Sequence, residues 1–69
     1  MKREDIIKNN LKKEIECSQK SKAQIAAEVG ISRPTLSQYL SGRILPSVVT
    51  LAALCEVLDC SADDILGLK

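Results

Sequence analysis

Residues 21–42 constrain the fold more than any other part of the chain, because helix start and stop signals alternate there at close spacing. Ser21 and Ser32 are of a residue type that caps helix N-termini. Gly30 and Gly42 each follow an apolar-periodic segment and can end a helix at a positive φ angle. The stretch therefore predicts two short helices joined by a tight glycine turn, which is a helix-turn-helix.

The side chains within these two segments support this interpretation. Gln24 lies three residues after Ser21, the spacing of a capping box. Pro34 falls in the first turn of the second helix, where proline is tolerated. Ile31 is expected to be a buried plug between the helices. Apolar residues recur at helical spacing and predict one buried side on each helix: Ile25, Ala26 and Val29, then Leu36, Tyr39 and Leu40.

Three further helices are predicted around this motif. Apolar residues every four positions predict an amphipathic first helix from about Glu4 to Cys17: Ile7, Leu11 and Ile15. Ser47 caps a fourth helix that runs to about Leu58, with this expected apolar face: Val48, Leu51, Ala52, Cys55 and Leu58. Ser61 and Asp64 repeat the capping spacing and begin a fifth helix that ends at Gly67. The fold class is thus all-α, in a single domain of residues 1–69.

Composition excludes several classes of function. The 69 residues suit one small domain, which includes three cysteines and no histidine. Without histidine or a CxxC pair, no metal site is expected, and the cysteines are expected to be buried structural thiols. No signal peptide or membrane-spanning run is present, so a cytoplasmic location is expected. No cofactor, small-molecule substrate or enzymatic activity is expected, because no nucleophile–base set or phosphate-binding glycine loop occurs.

The charges are unevenly distributed along the chain. Residues 1–43 carry nine basic and five acidic side chains, whereas residues 44–69 carry one basic and four acidic ones. A basic front and an acidic rear are typical of a protein that turns one side toward a polyanion. The alternative, a set of solvated helix faces, is left open by charge alone.

The predicted second helix of the motif has a short polar side opposite Leu36 and Tyr39. In helix-turn-helix proteins the N-terminal part of this helix meets base edges in the major groove of DNA. Arginine can donate two hydrogen bonds to guanine, and glutamine can pair with adenine. The residues expected to contact bases are Arg33, Pro34, Ser37 and Gln38.

The chain resembles the Cro/cI-type (Xre) helix-turn-helix regulators, typified by the DNA-binding domain of the phage lambda repressor. The resemblance runs from about Ile7 to Leu68 and rests on IAAEVGIS, LSQYLSG, Pro46 and LAALCEVLDCSADDILG. It implies a five-helix lambda-repressor-like domain. The family's ion pair between the first helix and the end of the recognition helix falls on Ile15 and Leu40, so an apolar contact is expected instead. Lys20 stands where the family has an apolar residue.

The resemblance also implies that Lys22 holds the DNA backbone. Residues at helix ends and in the following loop offer hydroxyl and N–H groups to phosphate oxygens. Together, the expected backbone contacts are Ser21, Lys22, Ser32, Thr35, Ser41 and Arg43. Lys8, Lys12 and Lys13 are expected to be solvated.

These observations predict a transcription regulator, a repressor that binds a palindromic DNA operator as a homodimer. The expected dimer surface is the acidic rear, from Val57 through the fifth helix to Leu66 and Leu68. Two alternatives stay open: an antitoxin that represses its own operon, and a protein-binding module that has lost DNA binding.

Overall fold

The computed structural model describes residues 2–68, and these residues form helices without any strand. The helices are α1 (Arg3–Cys17), α2 (Lys22–Val29), α3 (Arg33–Ser41), α4 (Val48–Leu58) and α5 (Ala62–Leu66). The predicted all-α class and the five predicted helices are confirmed. Met1 and Lys69, the ends of the predicted domain, lie outside the described residues. No described helix is both long and apolar enough to cross a membrane.

Four of the described helices begin after a serine that caps the first turn. In each case the serine Oγ accepts a hydrogen bond from the backbone N–H three residues later: Ser21, Ser32, Ser47 and Ser61. Serine suits this position because it satisfies one of the N–H groups that lack an intrahelical partner. The predicted helix starts are thereby confirmed.

The reciprocal half of the capping box forms in α5 but not in α2. In α5 the Asp64 carboxylate accepts a hydrogen bond from the Ser61 N–H at 3.2 Å. In α2 the Gln24 N–H donates to Ser21 Oγ at 3.1 Å, but the Gln24 side chain hydrogen-bonds to Glu28. The capping-box prediction is therefore wrong for the Gln24 side chain, because a charged acceptor one turn further along the helix binds it instead.

One apolar core joins all five helices. Its buried members are Leu11, Ile15, Ile25, Ala26, Leu36, Tyr39, Leu54 and Ile65. Helix α1 packs against α5 and α3, while α2 packs against α4 and α3. The predicted inner faces of α1, α2 and α3 are confirmed, with Val29, Ile31 and Leu40 half-buried against this core. Ile31 was expected to be buried between the helices, but it is partly exposed.

The apolar face of α4 differs from the prediction. Val48 is 83% exposed and Ala52 is also exposed, whereas Leu54 has no exposed surface. Leu51, Cys55 and Leu58 do pack against the core. Helix α4 is apolar on nearly every side, so its sequence periodicity does not specify which side is buried. Packing against α2 decides this, and the buried side is the one that contains Leu54.

The prediction of three buried thiols is wrong for Cys17, which is exposed at the last position of α1. Cys55 and Cys60 are half-buried and pack against the core. The Cys60 N–H donates to the Cys55 carbonyl oxygen at 3.0 Å, and Asp59 between them has a left-handed φ of 54°. This is the arrangement in which apolar side chains flank a helix C-terminus, so the two thiols act there as small hydrophobic groups.

Lys20 holds the connection between α1 and α2. Its ammonium group lies 2.9 Å from Glu28 Oε1 and 3.1 Å from the Val57 carbonyl oxygen. The hydrogen bond from Lys20 lowers the pKa of the Glu28 carboxyl group. Lysine at this position therefore ties the start of the motif to the end of α4, where the resemblance predicts an apolar contact.

Gly42 permits a close approach between α1 and the end of α3. Its φ is +79°, and a Cβ atom at this position would lie 2.8 Å from Lys8 Cδ. The Lys8 stem is half-buried against this turn. Lys8 is consequently part of the packing between the two helices, rather than a fully solvated side chain as expected.

Candidate nucleic-acid interface

The outward side of α3 presents the side chains that were expected to contact bases. Arg33, Pro34, Ser37 and Gln38 are all exposed. On the opposite side Leu36 is 1% and Tyr39 is 7% exposed, so the helix is anchored through its inner side. Because an α-helix has 3.6 residues per turn, the exposed residues lie on one side of α3 and the buried ones on the other.

Both ends of α3 are fixed by local hydrogen bonds. The Thr35 N–H donates to Ser32 Oγ at 3.2 Å, and the Ser32 and Thr35 hydroxyl groups lie 2.8 Å apart. At the other end, the Gly42 and Arg43 N–H groups donate to carbonyl oxygens of α3. Because both caps are satisfied internally, the outward side chains stand on a rigid helix.

Arg33 and Gln38 have no side-chain hydrogen bond to any other residue between 2 and 68. Arg33 lies at the first position of α3 and Gln38 lies five residues later. A rise of about 1.5 Å per residue separates them by about 7.5 Å along the helix axis. That distance matches about two base-pair steps of 3.4 Å.

The start of α2 offers backbone donors as well as a cation. The N–H groups of Lys22 and Ala23 have no acceptor within the described chain, since the Ser21 cap takes up the N–H groups of Gln24 and Ile25. Lys22 itself is exposed. Free N–H groups at a helix N-terminus favour a bound anion, so Ser21 and Lys22 are well placed for a phosphate.

The remaining expected phosphate contacts fall into two groups. Ser32 and Thr35 lie at the start of α3, with Thr35 half-buried. Arg43 is exposed in the loop after α3, on the same end of the helix as Ser41. The Ser41 hydroxyl group donates to the Gln38 carbonyl oxygen at 3.0 Å, so its proton is already used within the helix.

A cleft between α1, α2 and α3 adds a residue that sequence reasoning missed. It encloses about 320 Å³ and is lined by Lys12, Ile15, Glu16, Lys22, Ser37, Leu40 and Ser41. Lys12 was expected to be solvated, and its side chain is exposed at the edge of this cleft. The buried Ile15 and the half-buried Leu40, the positions of the family ion pair, both line this cleft, and Leu40 packs against the core that contains Ile15. No periodicity within α1 distinguishes Lys12 from Lys13, so only the packing of α1 on α3 reveals its position.

Comparison with known proteins agrees with the fold described above. A family model described as Helix-turn-helix matches residues 11–65. The chain belongs to the Cro/cI-type helix-turn-helix family. It is also similar to the cryptic phage CTXphi transcriptional repressor RstR of Vibrio cholerae serotype O1, with 34% identity over 61 residues. No solved structure matches the chain.

The similarity to RstR covers 88% of this chain and 54% of RstR, so the chain spans about half the length of that relative. The matched family segment begins at Leu11 and ends at Ile65, both of which belong to the core. The family resemblance therefore includes the residues that fix the relative positions of the helices. Proteins of the Cro/cI-type family are DNA-binding transcription regulators.

Proposed function

We propose that this protein is a sequence-specific DNA-binding transcription regulator, a repressor that binds a palindromic operator as a homodimer. The observation that carries the proposal is the outward side of α3, where Arg33 and Gln38 are exposed and have no intramolecular partner. The similarity to a phage transcriptional repressor supports repression, rather than activation, of transcription.

Base recognition rests on four side chains with different chemistry. Arg33 donates two hydrogen bonds to guanine O6 and N7, and Gln38 pairs with adenine N6 and N7. Ser37 is short enough to donate to or accept from either base. Pro34 offers an apolar surface to a thymine methyl group. The helix thus reads a few base pairs.

Phosphate contacts position this helix in the groove. Lys22 and the free N–H groups at the start of α2 bind one side of the duplex backbone, together with Ser21. The other side of the duplex backbone is contacted from both ends of α3. These residues are Ser32 and Thr35 at its start and Ser41 and Arg43 at its end. Such contacts carry little sequence information, and they make the affinity depend on salt.

The dimensions of the domain suit a symmetric dimer on DNA. The Cα atoms span 30 × 23 × 21 Å. Two domains side by side can therefore place their recognition helices about 34 Å apart, the distance between half-sites one helical turn apart. We infer that the acidic rear, which includes the 64% exposed Leu68, faces the partner copy.

The decisive experiment measures base preference rather than affinity alone. A duplex is first selected from a randomised library with the wild-type protein, and every base pair of the selected site is then varied. Arg33→Ala is expected to lose about 1–3 kcal/mol of binding free energy and to relax the preference at one base pair per half-site. Lys22→Ala serves as the matched control, since it should weaken all sequences alike. An Arg33→Ala protein with an unchanged base preference contradicts the assignment of the reading residue.

A further inference from the structure

Lys20 contacts the ends of two helices that belong to different surfaces of the molecule. Its ammonium group lies 2.9 Å from Glu28 Oε1, in the last turn of α2, and 3.1 Å from the Val57 carbonyl oxygen, in the last turn of α4. Helix α2 opens the helix-turn-helix, whereas Val57 begins the acidic rear that is proposed to face the partner copy. One side chain thus connects the proposed DNA-binding motif with the proposed dimer surface.

The contact with Val57 satisfies a backbone group at the C-terminal end of α4. The last carbonyl groups of a helix have no N–H partner within the helix. The two preceding carbonyl groups, those of Cys55 and Glu56, accept hydrogen bonds from the turn that follows α4. The Val57 carbonyl oxygen accepts its hydrogen bond from Lys20, a cation that suits the negative end of the helix dipole.

These hydrogen bonds add a direction to the packing of α2 against α4. The apolar contacts between the two helices are favourable through burial, which is not directional. A hydrogen bond needs its donor and acceptor nearly in line, and charged groups strengthen it. Since Lys20 binds both helices through one ammonium group, it restricts the rotation of α2 relative to α4. An apolar residue, which the family has here, could not make either bond.

We propose that Lys20 is a positioning residue that sets the angle between the helix-turn-helix and the surface facing the partner copy. The proposal rests on the function proposed above, because it requires the homodimer and the palindromic operator. In a symmetric dimer, a change of this angle occurs in both copies and alters the separation of the two recognition helices. Lys20 therefore determines which spacing of half-sites the dimer accepts, and it acts through α2 and α4 rather than through a contact with bases.

The chain contains a matched control for this assignment. Lys20→Met removes the ammonium group and leaves an apolar side chain, as the family has at this position. Lys13→Met removes the same charge from an exposed position of α1. The Lys20–Glu28 pair is partly exposed, with 33% and 39% of the two side chains accessible, so it adds little to stability and both variants should fold.

The test measures affinity for two duplexes, the selected palindrome and the same palindrome with one base pair inserted between its half-sites. The insertion rotates one half-site by about 35° relative to the other, so wild type should prefer the original spacing. Lys20→Met should reduce this preference by about fivefold, the lower end of the usual coupling between two sites. Lys13→Met should leave it unchanged, because the lost charge weakens binding to both duplexes alike.

Two further variants keep the proposal testable if Lys20→Met fails to fold, which its circular dichroism shows. Lys20→Arg keeps a cationic donor and should retain most of the spacing preference. Glu28→Gln removes the charge of the acceptor at an exposed position and should reduce the preference in the same direction as Lys20→Met. An unchanged preference in Glu28→Gln contradicts the proposal when Lys20→Met is unfolded.

The outcomes separate this proposal from the proposed function. An equal spacing preference in wild type and folded Lys20→Met, even with a lower melting temperature, means that Lys20 only stabilises the fold and overturns the proposal alone. A wild type that binds both spacings equally, but still distinguishes a selected half-site from scrambled DNA, contradicts the homodimer and this proposal with it. A wild type that does not distinguish selected from scrambled DNA overturns the proposed function as a whole.

Discussion

The helix-turn-helix (residues 21–42) and the rear pair (residues 47–67) follow the same local plan with different surfaces. Each unit has a serine-capped helix, a left-handed residue, a second serine-capped helix and a final glycine with positive φ. The outer side of the first unit is polar and includes Arg33 and Lys22, while the outer side of the second exposes acidic residues. Capping thus builds a helix pair, but the exposed side chains decide whether that pair can approach a polyanion.

The two units also share a detail of their turns. The residue after the left-handed position donates its N–H to a carbonyl oxygen five residues back, from Ile31 to Ala26 in the first unit and from Cys60 to Cys55 in the second, both at 3.0 Å. The left-handed residue is glycine in one turn and Asp59 in the other. The same turn therefore occurs with two different sets of side chains. Substitutions at matching positions of the two turns can be compared directly.

The largest expected effect tests whether both units depend on one core. Leu36 in the helix-turn-helix is 1% exposed and Leu54 in the rear pair is fully buried. Leu36→Ala and Leu54→Ala should each lower the free energy of unfolding by about 2–5 kcal/mol, because each leaves a cavity in a close-packed core. Urea denaturation followed by circular dichroism measures this loss.

Val48→Ala is the control for these core substitutions, since Val48 is an apolar residue of α4 that is 83% exposed. The change should alter stability by less than about 0.5 kcal/mol. If Val48→Ala proves as damaging as Leu54→Ala, the inward direction of α4 is wrong.

Local signals account for what could be predicted from the sequence. Serine caps and glycine stops act over three or four residues, so the helix boundaries and the outward side of α3 followed directly from residue order. Leu54 was missed because α4 is apolar nearly all round, and the choice of its buried side depends on α2. Lys12 was missed for a similar reason, since its cleft exists only after α1 packs against the helix-turn-helix.

The next largest effect concerns the glycine turn of the helix-turn-helix. Gly30 has φ +88°, and a Cβ atom there would meet nothing within 4 Å. Gly30→Ala should therefore cost about 1–2 kcal/mol through backbone strain alone, because L-residues are disfavoured in the left-handed region. Thermal unfolding of Gly30→Asn provides the comparison, since asparagine tolerates this region and should recover part of the loss. Equal stability of wild type and Gly30→Ala contradicts the positive φ.

A smaller effect of opposite sign is expected in the corresponding turn of the rear pair. Asp59 is a non-glycine residue with positive φ, 54°. Asp59→Gly removes the backbone strain but increases the entropy of the unfolded chain, so the net gain in stability should be below about 1 kcal/mol. Asp59→Asn separates this backbone effect from that of the charge, since it removes only the carboxylate from the end of α4. A loss of stability with glycine means that the Asp59 side chain contributes more than its backbone costs.

The last effect is absent at neutral pH, and it distinguishes the two turns by their response to high pH. Burial raises the pKa of Cys60 to about 12 from a usual value near 9.0, and the neighbouring Cys55 and Glu14 act in the same direction. Burial also raises the pKa of Cys55. Ile31 and Ala26, at the corresponding positions of the helix-turn-helix, have no proton to lose.

A folded-state pKa above the unfolded one stabilises the protein below the unfolded pKa, and this stabilisation is lost as pH rises toward the folded value. The rear turn should therefore lose stability between about pH 9 and 12. Cys60→Val keeps an apolar side chain in the turn and should match wild type at pH 7 but lose less stability at pH 10. Cys17→Ser, at an exposed thiol, is the control and should behave as wild type at both pH values. If Cys60→Val and wild type lose stability in parallel, Cys60 stays as solvated in the fold as in the unfolded chain, and the analogy between the two turns fails at this residue.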